Sequence, residues 1–297
     1  MATGHEIIGK VVRVGDGVKK LKVGDRVGVG AQCDSCGECV RCSSHHENNC
    51  KEGVFTFGGV YKDVGVTTQG GYSDYFRANE KFMFKIPDSL ESKYAAPLMC
   101  GGITGFRPLL TAGVKKGTRV GVSGIGGIGH MTILFAKALG AEVTAISRSH
   151  NKEELAKQLG ADHFIATSDE GFETKNFDSL DVIVNTANAY EKPLMNKVLQ
   201  LLVPFGHFIA ITAPKLGEML EIDPLVLLMN NINFSGSAIG SPEDIDYMLK
   251  LAAEHNIKPW VEEIPISETN VTKAWTRLEK GDVKFRFVLT DYDDCFK

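Results

Sequence analysis

Short apolar runs alternate with helix-like stretches through the middle of the chain. Six of these runs have the composition of buried strands: 119–123, 143–146, 163–165, 181–184, 208–211 and 232–235. Buried strands separated by helical stretches are typical of βαβ units that build a parallel sheet. The pattern therefore predicts an α/β domain with a doubly wound parallel sheet.

Residues 1 to about 90 follow a different pattern, in which short extended segments are separated by glycine-rich turns. Residues 11–14 and 26–29 are rich in valine, and Gly15-Asp16-Gly17 and Gly24-Asp25 stand beside them. Short strands between such turns indicate a compact β-rich unit, which Ile86-Pro87-Asp88 closes.

One helix is predicted by the signals at its start. Ser241 is a favoured N-cap residue, Pro242 takes the first helical position, and acidic residues follow. Apolar residues then recur at helical spacing, at Ile245, Met248, Leu249 and Ala252. From Trp260 to Leu289 the chain returns to short extended segments, which we expect to rejoin the first β-rich unit.

Charge and hydropathy narrow the class of protein. The chain has 297 residues with 33 basic and 37 acidic side chains, a net charge of -4, so it lacks the basic balance of a nucleic-acid binder. No apolar run approaches the ~18 residues of a membrane-spanning helix. The first residues lack the basic-then-apolar order of a secretory signal, so we expect a cytoplasmic location and no membrane partner.

A glycine-rich motif follows the first predicted strand of the parallel sheet. Gly124, Gly126, Gly127 and Gly129 lie between this strand and a helix predicted to run to about Leu139. Such glycines allow the backbone to approach a pyrophosphate, whose charge meets the N-terminus of the helix. A tight turn without a ligand is the alternative, but the strand before the motif and the helix after it favour a dinucleotide site.

The end of the second strand of this sheet decides which dinucleotide is expected. An NAD site has a carboxylate there, whereas this chain has Ser147-Arg148-Ser149 with Lys152 close behind. A hydroxyl group and two cations suit a 2′-phosphate, so the sequence favours NADP(H). A solvated basic loop is the alternative interpretation.

Four of the seven cysteines stand in one short loop, with the spacing of metal ligands. They are Cys36, Cys39, Cys42 and Cys50. Four thiolates form a closed tetrahedral shell for Zn²⁺ and leave no open position, which predicts a structural zinc site. Cys33 could compete as a ligand, although we expect an ordinary free thiol there.

Other residues of this loop carry less information. His45 and His46 are interpreted as solvated loop residues. A nucleic-acid-binding zinc ribbon is the rival interpretation of the cysteines, but Asp34, Glu38 and Glu47 make the loop acidic, which disfavours it.

Several motifs together resemble the zinc-dependent medium-chain alcohol dehydrogenases. The first is Gly4-His5-Glu6 with Gly9, Gly15 and Val18; the others are the cysteine loop, the glycine motif and the segment 98–104. Within that family the segments 69–72, 147–149 and 279–283 resemble the fungal NADP-dependent cinnamyl alcohol dehydrogenases. The resemblance covers essentially the whole chain.

The resemblance implies a fold and an activity. It implies a GroES-like catalytic domain over 1–92, a Rossmann NADP-binding domain over 93–240 and a return to the catalytic domain over 241–297. It further implies hydride transfer between NADP(H) and a small-molecule alcohol or aldehyde, with reduction of aromatic or medium aliphatic aldehydes favoured. Family members are commonly oligomeric, so a homodimer is one expectation, which no residue here identifies.

The resemblance also implies roles for particular residues. His5 and Cys100 would ligate a catalytic zinc, with Glu6 as a third ligand or an exchange partner, and Thr104 would lie by the nicotinamide. Arg286 would lie near the pyrophosphate of the cofactor. A histidine or a buried cysteine has structural roles more often than catalytic ones, and composition does not single these residues out.

The chain departs from the family at its beginning. Family members carry a further N-terminal segment with another zinc-binding cysteine, part of a proton relay and early strands, whereas here His5 is the fifth residue. We therefore expect a truncated or misassigned start, or, as a second choice, a shortened reductase. Two alternative functions stay open: a zinc-free reductase of the quinone-reductase type, and a catalytically inactive NADP-binding protein.

Overall fold

The computed structural model describes residues 1–188, 192–212 and 220–295. The chain divides into two compact units, one comprising Met1–Ile103 with Ile239–Lys297 and the other Thr104–Ala238. Among the described residues, no helix combines the length and the apolar character needed to cross a membrane.

Strands and helices are numbered here in chain order. The strands are β1 (Ile7–Lys10), β2 (Arg26–Val29), β3 (Gln32–Asp34), β4 (Val54–Phe55), β5 (Val60–Tyr61), β6 (Val66–Thr67), β7 (Phe84–Lys85), β8 (Arg119–Ser123), β9 (Glu142–Ser147), β10 (His163–Ala166), β11 (Leu180–Asn185), β12 (Leu202–Ala210), β13 (Asn233–Gly236), β14 (Val261–Pro265) and β15 (Arg286–Thr290). The helices are α1 (Val40–Ser43), α2 (Ser92–Pro97), α3 (Ile103–Thr111), α4 (Gly129–Ala138), α5 (Glu153–Gln158), α6 (Phe172–Lys175), α7 (Lys192–Leu199), α8 (Pro224–Asn230), α9 (Pro242–Glu254), α10 (Glu268–Glu279) and α11 (Tyr292–Cys295).

The unit Thr104–Ala238 is built on a six-stranded parallel sheet. The strands lie in the order β10-β9-β8-β11-β12-β13, the strand order of a Rossmann fold. Val120 and Val122 of β8 pair with Val143 and Ala145 of β9, and these side chains are buried because helices cover the sheet. The positions of the six strands predicted from the sequence, and the Rossmann part of the predicted fold class, are confirmed. The expectation that all six are buried was wrong for β13, which lies at the edge of the sheet and has no buried residue.

The interior of this unit is filled by apolar side chains of the sheet and its helices. Phe106 of α3 and Phe135 of α4 are fully buried, with ring centroids 4.9 Å apart. A second cluster joins the sheet to α6 and α7 and includes Ile146, Phe172, Ile183, Leu199 and Phe208. This packing holds the carboxyl ends of the strands, where the glycine motif begins.

The other unit carries a small antiparallel sheet in the order β1-β2-β7. The strand predicted at 11–14 was wrong, because β1 covers Ile7–Lys10 and pairs with β2 from Ile7↔Val29 to Lys10↔Arg26. Beyond Lys10 the partner strand has ended, and Val11 instead turns into a small core with Leu21 and Val27. Val12 is 62% exposed, as expected for a residue that has left the sheet.

The C-terminal part of the chain contains one predicted helix and one that was missed. Helix α9 begins as predicted, since Ser241 accepts a hydrogen bond from the Asp244 amide and Asp244 bonds back to the Ser241 backbone. The tail was expected to contain only extended segments, yet α10 separates β14 from its parallel partner β15. Ala274 is the only buried residue that the structure describes in α10. The helix is polar overall, so its few apolar residues, although they recur at helical spacing, did not mark it in the sequence.

Candidate active site and zinc site

The glycine motif forms a tight loop between β8 and α4. Gly124 has φ +92°, a backbone conformation that favours glycine, and a Cβ at Gly129 would lie 1.9 Å from the Gly124 carbonyl oxygen. A Cβ at Gly126 would meet nothing within 4 Å. The loop is therefore closed on the protein side at Gly129 and open to a ligand at Gly126.

This loop lies where a dinucleotide binds in a sheet of this topology. It follows β8, the first strand of this sheet in chain order. The sheet continues through β9 on one side of β8 and through β11 on the other side. The hydroxyl of Thr186, just after β11, donates hydrogen bonds to the Ser123 and Gly124 carbonyls at 3.0 and 2.8 Å. The loop thus borders the crevice outside the carboxyl ends of β8 and β11, the usual ligand position in such sheets.

The residues proposed to select the cofactor follow β9. Arg148 is exposed, and within the described ranges its guanidinium has no hydrogen bond or ion pair. Lys152 Nζ donates to the Ile125 carbonyl of the glycine motif at 2.8 Å, so its ammonium lies against that loop with further donors to spare. Ser147, Arg148 and Lys152 are therefore carried on one short segment that contacts the glycine motif.

The four cysteines of the predicted zinc site come together. The sulfurs of Cys36, Cys39, Cys42 and Cys50 all lie within 4.8 Å of one another, and neighbouring pairs are 3.5 to 3.9 Å apart. Four sulfurs at ~2.3 Å from a tetrahedral zinc would lie about 3.8 Å from one another, whereas a disulfide needs ~2.05 Å. The cluster has the spacing of a zinc site and none of these thiols forms a disulfide.

The thiols of this cluster do not all ionise equally readily without a metal. A hydrogen bond from the Cys42 backbone amide lowers the pKa of Cys39 to about 7, whereas burial raises the pKa of Cys42 to about 12. A bound Zn²⁺ takes its sulfur ligands as thiolates, so its charge would offset the burial of Cys42.

Two buried polar side chains hold the cysteine loop in place. The Gln32 amide donates to the Asp34 and Glu47 carbonyls at 3.0 and 2.9 Å, which joins the two ends of the loop. The Glu47 carboxylate is 1% exposed and forms an ion pair with Lys81. A buried glutamate inside an exposed loop was not anticipated from the sequence, where Glu47 counted only as an acidic loop residue.

The neighbouring residues behave as the sequence suggested. Cys33 is fully buried, and its thiol donates to the Phe55 carbonyl at 3.6 Å rather than joining the cluster. His45 and His46 are exposed, although His45 Nδ1 lies 2.8 Å from a Glu243 carboxylate oxygen.

The segment with His5 and Glu6 is held in place by hydrogen bonds from the glycine pair Gly70-Gly71. The backbone of residues 2–4 accepts hydrogen bonds from the amides of Gly70, Gly71 and Tyr72 at 2.8 to 2.9 Å. A Cβ at Gly70 would lie 2.3 Å from the Thr3 backbone, so the two segments approach too closely for any larger residue. The motif Gln69-Gly70-Gly71-Tyr72 thus positions His5. In the sequence this motif served only to mark the resemblance to the family.

His5 itself lies in a partly buried, aromatic environment. Its ring stacks on Phe57, with centroids 5.6 Å apart. Burial lowers the pKa of His5, and the Arg286 charge adds to this while Glu6 opposes it. A neutral imidazole is the form that binds a metal ion.

Cys100 stands in an irregular turn of a long helical segment. Between α2 and α3 the residues Leu98–Gly102 form a π-helical turn, an irregularity that is frequent at functional sites. The amide of Gly101 donates to a Glu6 carboxylate oxygen at 2.9 Å, and Arg286 donates to the other oxygen. The Glu6 carboxylate is therefore held by the neighbour of Cys100 and by β15.

The residues predicted for the catalytic zinc are not gathered as the four cysteines are. Among the described residues, His5, Glu6 and Cys100 do not form a group of three ligand atoms within 4.8 Å of one another. Both Glu6 oxygens accept hydrogen bonds from protein groups. This donor set does not fit a three-ligand zinc site in the arrangement observed, and its roles stay predictions, as do those of Thr104 at the start of α3 and Arg286.

Family models match both the β-rich part of the chain and the part with the parallel sheet. Residues 1–88 match the alcohol dehydrogenase GroES-like domain, and residues 127–254 match the zinc-binding dehydrogenase domain. The NADP-dependent alcohol dehydrogenase 6 of Saccharomyces cerevisiae is 44% identical over 298 residues, covering 100% of this chain and 82% of the yeast protein. The chain belongs to the zinc-dependent alcohol dehydrogenases.

Solved structures of this family superimpose closely. A cinnamyl alcohol dehydrogenase from Sorghum bicolor matches with a TM-score of 0.90 and 39% identity, over 97% of this chain and 81% of the sorghum chain. A cinnamyl alcohol dehydrogenase from Helicobacter pylori in complex with NADP(H) matches with a TM-score of 0.85 and 32% identity, over 97% and 81% of the two chains. The family, the GroES-like and Rossmann fold and the class of enzyme expected from the sequence are confirmed.

Proposed function

We propose that this alcohol dehydrogenase uses NADP(H) and favours the reduction of aromatic or medium-length aliphatic aldehydes. The observation that carries the cofactor assignment is the segment after β9, where Ser147, Arg148 and Lys152 replace the carboxylate of an NAD site. The exposed guanidinium of Arg148 has no protein partner within the described ranges, so it is available to a 2′-phosphate.

The relatives support the same assignment. The yeast relative is named as NADP-dependent, and the Helicobacter pylori structure contains NADP(H). Relatives in Sorghum and Rauvolfia are named cinnamyl alcohol dehydrogenases, whose substrates are aromatic, which favours an aromatic aldehyde for this chain.

The chain's own residues bind and orient the cofactor in this proposal. Gly126 leaves room for the pyrophosphate, and the N-terminus of α4 meets its charge. Arg148, Ser147 and Lys152 hold the 2′-phosphate, while Lys152 keeps their segment against the glycine motif. The nicotinamide supplies the hydride chemistry when it is bound.

The cofactor assignment is tested by replacing Arg148. Arg148→Ala should weaken NADPH binding by about tenfold or more and change NADH binding less than about twofold, because only NADPH carries the 2′-phosphate. Lys175→Ala, which removes an exposed cation on α6, is the control and should leave both dissociation constants unchanged. Equal losses for both cofactors in Arg148→Ala would show that Arg148 does not discriminate between them.

The activity is tested with zinc content and turnover measured on the same preparation. Oxidation of NADPH with cinnamaldehyde, benzaldehyde and hexanal is the expected result. One zinc ion per chain is expected at the four cysteines, and a second ion in an active preparation would require His5, Glu6 and Cys100 to move together from their observed positions. One zinc ion per chain with NADPH binding and no turnover would instead support the inactive NADP-binding alternative.

Self-association as a homodimer is a further part of the proposal. Strand β13 lies at the edge of the six-stranded sheet, and in the described part of the chain no strand pairs with its outer side. Near it, Leu225, Leu228 and Met229 of α8 are 62 to 76% exposed. An unpaired edge beside exposed apolar side chains suits a second copy of the chain, and the mass of the particle in solution, measured by light scattering, tests it.

A further inference from the structure

One histidine joins the loops that follow β9 and β10. His150 begins a short 3₁₀ turn, His150–Lys152, directly after the segment proposed to hold the 2′-phosphate. Its Nδ1 lies 2.8 Å from a Glu153 oxygen of α5, and its Nε2 lies 3.1 Å from both oxygens of Asp169, which follows β10. A neutral imidazole has a single N–H, so both interactions are hydrogen bonds only while the ring is protonated.

The backbone of the phosphate segment is attached to the same neighbouring loop. The amides of Thr167 and Ser168 donate to the carbonyls of Ser147 and Arg148 at 2.8 and 2.9 Å. His150 therefore stands between two residues of the proposed phosphate site, Arg148 and Lys152, and ties their turn to Asp169. The protonation state of His150 therefore bears on the position of the Arg148 and Lys152 side chains and on the charge around them.

The charged groups around His150 balance while it is protonated. Glu153 and Asp169 face its two nitrogens, the Phe164 ring of β10 lies 5.8 Å away, and Lys157 lies 3.0 Å from the other Glu153 oxygen. Two cations, His150 and Lys157, then offset two carboxylates. Loss of the proton leaves one negative charge uncompensated beside a site that would hold a phosphate dianion.

We propose that His150 is a positioning residue for cofactor selection: its protonated ring holds the phosphate-binding turn and cancels the Glu153 and Asp169 charges, so that preference for NADPH over NADH weakens when the ring loses its proton. The proposal rests on the proposed NADP(H) function of the same segment. Hydrogen bonds to Glu153, and then to Asp169, raise the pKa of His150, which extends the protonated form above the ordinary range near ~6.5.

The test measures dissociation constants of NADPH and NADH between pH 7 and pH 9, where the 2′-phosphate is already largely doubly ionised. For the wild-type chain we expect the ratio of NADH to NADPH dissociation constants to fall about threefold to tenfold across this range. His150→Gln should show the low ratio at pH 7 and no further fall. His150→Arg keeps a cation that donates to two carboxylates, and should keep a high ratio that is independent of pH.

A matched control lies at the start of β10, the strand that Asp169 follows. His163 begins β10, has the same 58% side-chain exposure as His150 and lies 2.6 Å from a Glu142 oxygen. His163→Gln should therefore behave as the wild type in both the ratio and its pH dependence.

The possible outcomes separate the two proposals. A wild-type chain that binds NADPH no more tightly than NADH at any pH would overturn the NADP(H) assignment itself. Selectivity that is present but does not change with pH, or that is unchanged in His150→Gln, would overturn the role of His150 and leave the NADP(H) assignment standing. Binding of NADPH and NADH that weakens equally in His150→Gln, and no less in His150→Arg, would also overturn the role of His150. A merely structural role predicts that result.

Discussion

Arg286 donates a hydrogen bond to the carboxylate of Glu6 across a sequence separation of 280 residues. The side chains are only 29% and 20% exposed, and the second Glu6 oxygen accepts from the Gly101 amide. One carboxylate therefore joins the Gly-His-Glu segment, the π-helical turn with Cys100 and strand β15, all within the unit formed by Met1–Ile103 and Ile239–Lys297.

This pair is expected to couple energetically. Arg286→Ala leaves a partly buried carboxylate with one hydrogen bond, and Glu6→Gln leaves a partly buried guanidinium uncompensated. A double-mutant cycle of the two changes, measured by denaturant unfolding, should give a coupling free energy of about 1–2 kcal/mol. Additive effects of the two changes would mean that the pair contributes nothing.

A control separates stability from catalysis. Arg277 of α10 is 28% exposed and pairs with Glu262 and Asp282, so Arg277→Ala removes two ion pairs of the same unit that do not involve Glu6. We expect Arg277→Ala to affect stability alone, while Arg286→Ala also lowers kcat/KM for aldehyde reduction. Equal kcat/KM values in the two variants would contradict the predicted role of Arg286 near the pyrophosphate of the cofactor.

The structural zinc site predicts a clear difference between two cysteines of the same region. Cys42→Ser removes one of four clustered sulfurs and should lower the zinc content by one ion per chain, with a fall in Tm on the order of 5 °C. Cys33→Ala changes a buried thiol outside the cluster and should leave the zinc content unchanged. Metal analysis by mass spectrometry and thermal unfolding measure both; an unchanged zinc content in Cys42→Ser would argue that Cys42 is no ligand.

Features encoded locally were predictable from the sequence. The four cysteines span a single loop, and the glycine motif needs only the strand before it and the helix after it, so spacing was sufficient to predict both. The strands of the parallel sheet were readable because a sheet covered on both faces requires continuous apolar runs, although the edge strand β13 is not buried.

Features that depend on distant or polar segments were not predictable in the same way. The Glu6–Arg286 pair requires β15 to lie beside the Gly-His-Glu segment, which no local pattern encodes. Helix α10 was missed because its surface is polar, and β1 was misplaced because its valine-rich continuation at 11–14 has no partner strand. The contact between His150 and Asp169 likewise appears only when two loops are brought together.

Replacing each of two glycines in the same loop by alanine should have different effects, one on stability and the other on cofactor binding. At Gly129 a Cβ would lie 1.9 Å from the Gly124 carbonyl oxygen, so Gly129→Ala must shift the backbone and should lower Tm. At Gly126 the Cβ would enter open space, so Gly126→Ala should keep its Tm and bind NADPH and NADH about tenfold more weakly. Thermal unfolding and cofactor titration check both; unimpaired binding in Gly126→Ala would mean that the cofactor does not approach this glycine.

The acid sensitivity of the parallel-sheet unit should depend on Asp181. Its carboxylate accepts hydrogen bonds from the Arg119 amide and guanidinium, the shortest of them 2.6 Å. Partial burial raises the pKa of Asp181, but the bonds from Arg119 outweigh it and the net pKa lies below its ordinary value.

A lowered pKa in the folded state means that the unfolded chain takes up the proton first as the pH falls. The stabilisation is therefore complete above pH ~4 and is lost below it, as the pH passes through the folded pKa. Asp181→Asn should cost about 1 kcal/mol at pH 7, since the site is partly exposed to solvent, and the difference from wild type should shrink towards pH 3. Glu170→Gln is the control, because Glu170 is exposed and has no ion pair in the ranges that the structure describes. Denaturant unfolding between pH 7 and pH 3 measures this, and a difference between Asp181→Asn and wild type that grew as the pH fell would contradict it.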